Sequence, residues 1–377
     1  MKIKSIDYYP IDLNKIEQFQ PGVNRHAIII IIRSTNGLIG FGEAPAYTNG
    51  RSSNLKSIFN WLQRYRDAIL TQDELNLAKI HDIIDEIDEN SNECNIARAG
   101  IDIAVHDIIG KYRECPVHQI IGGSYRTEME LMLRIKKNND SLIVTEAQNA
   151  VRMGFHGITI NFGNHAEYNS LSDYFRSSTK ILVEILKTIN QEVYICLDAN
   201  QQMVNQSLVT RMMSEIFESK FYTNLSLQQP FSKDNLNDHA EIREKLPIPI
   251  QLSDSVSSDQ SMMQIELLRA ADRISLSLER VGGLNQANRI RDICEASFIG
   301  IHPQIKSLTP IGFSAHLHLA ATMRDPFPIE IGTEIILQNP LFENSYTISG
   351  GEISLKDASG LGITLDENQL KFATVNF

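Results

Sequence analysis

The runs HGITINF at residues 156–162 and VYICLDAN at residues 193–200 decide the fold: each is short and rich in β-branched or aromatic residues, and a helical stretch separates them. In GITIN the isoleucines share one parity while Thr159 and Asn161 share the other, and in VYICLDAN, Asp198 and Asn200 stand opposite Ile195 and Leu197. Successive side chains of a strand point to opposite faces, so each run has one apolar and one polar face. Six further runs of this kind occur: MELMLRIK (129–136), NLSLQQP (224–230), PIQLSDS (249–255), RISLSLE (273–279), FIGIHP (298–303) and FPIEIG (327–332). Helical segments such as TEAQNAVRMG, DQSMMQIELLRAA and NQANRIRDICEAS lie between them. Alternating strands and helices in this number predict an α/β fold, a TIM-type (β/α) barrel of seven to eight units over residues 126–340.

Parity sorts the interior of that barrel. Arg134 and Lys136, Thr159 and Asn161, Asp198 and Asn200, Ser226 and Gln228, Gln251 and Ser253, Ser275 and Ser277, His302, and Glu330 share the inward face. Active sites of such barrels sit at the carboxyl ends of the strands, so the later residue of each pair lines the candidate pocket. That pocket is polar but weakly charged. Thr159, Asn161, Gln228, Ser253 and Ser277 can orient a ligand by hydrogen bonds but do not titrate near pH 7. The titratable remainder is Asp198, Glu330, His302, Lys136 and Arg134, with Asp254 next to them on the opposite parity.

Upstream, HAIIIIIRSTNGLIGFGEA (26–44) reads as two strands joined in a tight hairpin at Asn36-Gly37. Helical periodicity follows over 52–70, 75–89 and 93–112, so residues 1–125 form an α+β domain. Residues 341–377, with SGGEISL and SGLGITL, return to glycine-punctuated β structure and are expected to rejoin that first domain.

At 377 residues, 42% of them hydrophobic and 21% charged, the chain has the composition of a two-domain globular protein. A net charge of −11 argues against nucleic-acid or anionic-membrane surfaces, which require concentrated Lys and Arg. The start MKIKSIDYYP lacks signal-peptide regions and the run from Ile28 to Ile32 is too short to span a bilayer, so a cytoplasmic location is expected. Cys94, Cys115, Cys196 and Cys294 have no CxxC spacing and read as structural thiols.

GLIGFGEA (37–44), ARAGIDIAVHDIIGKYRECPVHQIIGG (97–123), LDANQ (197–201), QQP (228–230), VGGL (281–284) and GLGITLD (360–366) together resemble the enolase superfamily, in the branch of muconate-lactonising enzymes, dipeptide epimerases and mandelate racemase. The resemblance implies a capping domain with substrate-selecting loops, here Ile16 to Gly22 and Tyr47 to Ser53. It also implies Mg²⁺ held by three carboxylates and abstraction of the proton α to a substrate carboxylate. Against that pattern the strand-two lysines fall at Thr159 and Asn161, and the strand-six lysine at Ser277. Of the metal carboxylates Asp198 is kept, Gln228 replaces a glutamate and Ser253 an aspartate, with Asp254 a substitute one position later. A metal site of Asp198, Asp254 and Gln228 is therefore weak or absent. His302 resembles a mandelate-racemase-type base, Glu330 matches a proton donor to the substrate carboxylate, and Lys136 is a third catalytic candidate, although a partner for Glu330 is the favoured role for Lys136. His316 and His318 read as surface or core packing.

Two functional readings follow. One is a racemase, epimerase or dehydratase of amino-acid, dipeptide or sugar-acid substrates working through His302, Glu330, Lys136 or Asp198. The other is a divergent relative with an altered or lost activity, binding a small carboxylate-type ligand through Arg134, Thr159, Asn161, Asp198, Asn200, Gln228, Ser253 and Ser277. The replacements favour the second. The expected partners are this small molecule and further copies of the chain.

Overall fold

In the computed structural model, residues 1–15, 26–48, 51–52, 54–72, 75–88, 92–136, 140–162, 166, 168–203, 205–219, 224–332, 342–343 and 346–375 are described. Strands β1 (Ile3–Asp12), β2 (His26–Ser34) and β3 (Ile39–Pro45) form an antiparallel meander. The five consecutive isoleucines of β2 are all fully buried. Ile28, Ile30 and Ile32 pack with helices α1 (Leu55–Ile69), α2 (Leu77–Ile87) and α3 (Asn92–Tyr112), whereas Ile29 and Ile31 join the core shared with the barrel. Burial of both faces explains an apolar run without alternation.

The hairpin forms, with a different turn. Ser34 and Leu38 exchange the closing contacts, Gly37 alone adopts positive φ (87°), and the loop is Thr35-Asn36-Gly37. A three-residue loop with glycine in the left-handed position satisfies the same strand twist as a two-residue turn. In GLIGFGEA the later glycines serve contact: a Cβ on Gly42 would lie 2.0 Å from the Gly100 carbonyl of α3.

Eight parallel strands make the barrel: β4 (Glu128–Lys136), β5 (Gly157–Asn161), β6 (Tyr194–Asp198), β7 (Leu225–Gln228), β8 (Ile250–Leu252), β9 (Arg273–Leu276), β10 (Gly300–Pro303) and β11 (Ile329–Ile331). They pair in chain order, β11 pairs β4, and a Gln304–Glu330 bridge links β10 to β11. An antiparallel pair (Tyr346–Ser349 and Glu352–Leu355) extends the sheet from the amino end of β4. The chain then returns to the first domain, where Thr374 bridges Ile11 and Arg33 pairs with Glu367. Among the described residues no helix is long and apolar enough to cross a membrane.

Candidate active site at the barrel mouth

The polar parity does face the barrel interior, where its side chains bond to one another in layers. Lowest, Tyr194 Oη meets Ser226 Oγ at 2.6 Å and accepts from Arg273 at 2.8 Å. Above it, Gln228 Oε1 accepts from Gln251 Nε2 (2.9 Å) and Ser275 Oγ (2.6 Å), and Gln251 Nε2 also donates to His302 Nδ1 (2.7 Å). Gln228 and His302 are thus tied to other interior side chains, Gln228 standing directly opposite Asp198 in the register of β6 and β7. Burial pushes the His302 pKa down to about 4, so its ring is neutral at pH 7, with Nδ1 on Gln251 and Nε2 buried without a hydrogen-bond partner among the described residues.

The top layer centres on Arg134. Its Nη1 donates to Asp198 Oδ2 at 2.7 Å and its Nε to Glu330 Oε1 at 2.7 Å. Thr159 Oγ1 donates to Glu330 Oε2 (2.6 Å), Gln304 Nε2 to Glu330 Oε1 (2.7 Å), and Asn161 Nδ2 lies 3.4 Å from Asp198 Oδ2. Glu330 is fully buried. Burial alone would raise its pKa, but the charges of Arg134 and Lys306 hold it below the usual carboxylate range. A carboxylate so strongly held is a poor proton donor or base. The cationic partners of Glu330 are Arg134 and Lys306. Lys136 ends β4 in register with Asn161, and its side chain lies outside the described residues.

Around the rim, Asn200 (φ 47°), Gln201 (62°) and Gln229 (43°) hold left-handed conformations rare for such residues. The N–H of Asn200 donates to Asp198 Oδ1 (3.0 Å), that of Gln201 to the Gln229 carbonyl (2.8 Å) and that of Ala199 to the Gln228 carbonyl (2.9 Å). The LDANQ and QQP motifs are thereby locked together. Asp254 Oδ2 accepts from Gln201 Nε2 (2.7 Å) and Oδ1 lies 3.6 Å from Arg280. Ser253 is buried, with its N–H on Gln229 Oε1. Ser277 Oγ donates to Glu279 Oε2 (2.7 Å), which lies 3.3 Å from His316 Nε2. His316 and His318 are both buried, His318 stacked on His118. Of the two expected substrate-selecting loops, Ile16 to Gly22 lies outside the described residues, and Tyr47 to Ser53 is described only as the backbone pair Tyr47–Thr48 and Arg51–Ser52.

Sequence reasoning missed Lys306 and Gln304. Their signal was present: His302, Gln304 and Lys306 continue one parity beyond Pro303, where the strand-like run FIGIHP ends. It also missed Glu43 of β3, which reaches across the domains to accept from the N–H groups of Leu308, Thr309 and Gly312 and from Thr309 Oγ1 (2.6–3.1 Å). That contact pins the loop carrying Lys306.

With this geometry established, the family can be assigned. The mandelate racemase / muconate lactonizing enzyme N-terminal domain matches residues 20–122, and the enolase C-terminal domain-like model matches residues 142–369. The chain belongs to the mandelate racemase / muconate lactonizing enzyme branch of the enolase superfamily. It is 26% identical over its whole length to the N-succinyl-L-Arg/Lys racemase of Bacillus cereus, covering 98% of that protein. It is also 26% identical to the L-Ala-D/L-Glu epimerase of Bacillus subtilis, over 89% of this chain and 88% of that protein. The crystal structure of the Bacillus cereus racemase superposes with a TM-score of 0.85 at 25% identity, over 100% of this chain and 99% of that one. The muconate lactonizing enzyme from Pseudomonas putida gives 0.86 at 20%, covering all of both chains, a likeness of fold. Relatives of this enolase-superfamily protein are thus racemases, epimerases and cycloisomerases.

In this family member the expected metal donors are committed elsewhere. Arg134 occupies Asp198 Oδ2 and the Asn200 N–H occupies Oδ1. Gln228 Oε1 already accepts from Gln251 and Ser275, and Asp254 faces Gln201 and Arg280. Among the described residues no group of three or more His, Cys, Asp or Glu is arranged to hold a metal. One carboxylate neutralised by a guanidinium, with neutral oxygens, does not fit a hard dication, which favours several anionic oxygens.

Proposed function

We propose that this enolase-superfamily protein binds a small carboxylate-bearing molecule at the barrel mouth without a divalent cation, and that it has lost the metal-dependent abstraction of the proton α to the carboxylate. The observation that carries this reading is the Arg134 guanidinium bridging Asp198 and Glu330. A fixed positive charge stands where the resemblance puts the metal's retained carboxylate, and Thr159, Asn161 and Ser277 stand where it puts the lysine bases. The ligand-facing donors are Arg134 Nη2, buried and without a hydrogen-bond partner among the described residues, and Lys306. A buried N–H group lacking an acceptor costs about 1–3 kcal/mol, more when charged, and an incoming carboxylate relieves that cost.

The test is a thermal-shift panel of dipeptides, N-acylamino acids, sugar acids and short-chain carboxylic acids, run in EDTA and again in Mg²⁺, with deuterium exchange in D₂O on the same compounds. Stabilisation by a carboxylate in EDTA without α-proton exchange supports the proposal. Exchange that requires Mg²⁺ overturns it.

A further inference from the structure

We propose that Lys306 is an imine-forming amine and that the ligand of the mouth is a 2-oxo carboxylic acid. This rests on the carboxylate-binding reading above and names the substrate class.

Position comes first. The Lys306 side chain is 9% exposed, its Nζ lies 3.8 Å from Glu330 Oε1, and it makes no hydrogen bond among the described residues. That separation is too long for a charge-assisted hydrogen bond. Glu330 Oε1 has no room for a closer approach, because Arg134 Nε and Gln304 Nε2 both already donate to it at 2.7 Å. Arg280 approaches from the rim, its Nη2 donating to Gln304 Oε1 at 3.1 Å. Lys306 is therefore an amine enclosed with two guanidinium groups and only loosely paired with one carboxylate.

An enclosed amine beside other cations is the environment that lets lysine act as a nucleophile, since burial and like charge both disfavour the ammonium. Burial and the charge of Arg134 bring the Lys306 pKa down to about 8, so neutral amine is available near physiological pH. The second observation is Arg134 Nη2, a buried donor without a partner on the guanidinium whose Nε shares Glu330 Oε1 with Lys306. A ligand that puts a carboxylate on Arg134 can put an adjacent carbonyl carbon on Lys306.

The chemistry also favours a carbonyl. A carboxylate α-proton is very weakly acidic unless a dication or similar charge stabilises the enediolate, and the donors here do not fit a dication. An imine supplies an electron sink from the chain itself. In the step, neutral Nζ attacks the keto carbon and the C–N bond forms. The carbonyl oxygen leaves as water with the two amine protons, and the imine takes up one proton to become the iminium. Nothing is oxidised or reduced.

The test uses the full chain with pyruvate and sodium cyanoborohydride at mildly alkaline pH, followed by intact-mass measurement and peptide mapping. The expected result is one reduced pyruvyl adduct per chain on the Lys306 peptide, absent from Lys306→Met and from Lys306→Arg, which keeps the charge without the reactive amine. Acetone, a carbonyl without a carboxylate, should label Lys306 no more than other lysines. Labelling of Lys306 no greater than that of surface lysines overturns the proposal. Lactate, which has the carboxylate without the carbonyl, separates the two readings. Thermal stabilisation by lactate with no Lys306 adduct sinks the imine alone, and neither stabilisation nor adduct sinks both.

Discussion

Arg134 Nη1 lies 2.7 Å from Asp198 Oδ2, while Nε of the same guanidinium lies 2.7 Å from Glu330 Oε1. One side chain from the first barrel strand thus neutralises carboxylates from the third and the eighth. Arg134→Met would leave both carboxylates buried without their main partner, which typically costs about 3–5 kcal/mol. The expected outcome is a urea midpoint lowered accordingly with an unchanged m-value. Arg134→Lys should lose less, because an ammonium keeps the charge but cannot span both partners.

The same relationship predicts the response to metal. Wild-type protein should show the same melting temperature in millimolar Mg²⁺ and in EDTA, since ligand binding to the folded state alone would raise it. Arg134→Met, with Asp198 and Glu330 released, should gain Mg²⁺-dependent stabilisation. A Mg²⁺ shift in the wild type larger than in the variant would contradict the assignment of Arg134 as the counter-charge.

The barrel and its inward parity were legible because strand alternation is a local property: Thr159, Asp198, Gln228 and Glu330 declare their face by their neighbours in sequence. The interior partners were not legible. Gln228 and His302 read as ligand-facing residues but are taken up by hydrogen bonds to the interior side chains of Gln251 and Ser275, because strand tilt and stagger decide which inward side chains meet and no single strand encodes them. Lys306 was missed for a different reason. Pro303 ends the apparent strand, but the backbone continues in register, with the Gln304 N–H donating to Leu276 O and the Ile305 N–H to Glu330 O. Glu43, 265 residues from its partner Leu308, carries no local signal of that contact.

His302 predicts a pH dependence. Its ordinary pKa of 6.5 is pushed by burial to about 4 in the folded chain, so between these values the unfolded chain binds the proton and the folded chain does not. This group's contribution is complete above pH 6.5 and is lost as pH falls toward 4. Replacing it by His302→Asn, whose Oδ1 can accept from Gln251, should flatten the decline by up to about 3 kcal/mol, read from urea melts at pH 7, 5.5 and 4.

VGGL predicts an effect across the domain interface. Gly283 has φ 108°, and a Cβ there would lie 2.5 Å from Asp102 Oδ2 of α3. Asp102 accepts from the Leu284 and Asn285 N–H groups and from His81 Nε2, joining the first domain to the start of helix Leu284–Ser297. Gly283→Ala should cost about 3 kcal/mol through backbone strain and displacement of this carboxylate. Fluorescence of Trp61, the single tryptophan, sits in α1 and reports the first domain. Its transition should move to lower urea.

Lys306 predicts the last dependence. The groups facing it are Arg134 and Glu330 from the barrel interior, Arg280 from the rim and, more distantly, Asp198. Burial, Arg134 and Arg280 lower its pKa to about 8 while Glu330 and Asp198 oppose them. Pyruvate incorporation at Lys306 should therefore rise through a midpoint near pH 8, whereas surface lysines in the same digest should follow the ordinary amine value of about 10.4. Arg280→Met removes one of the depressing charges without touching Glu330, so the midpoint should move upward while the extent of labelling at high pH is preserved. A midpoint for Lys306 that coincides with that of the surface lysines would show that its amine is not enclosed as described.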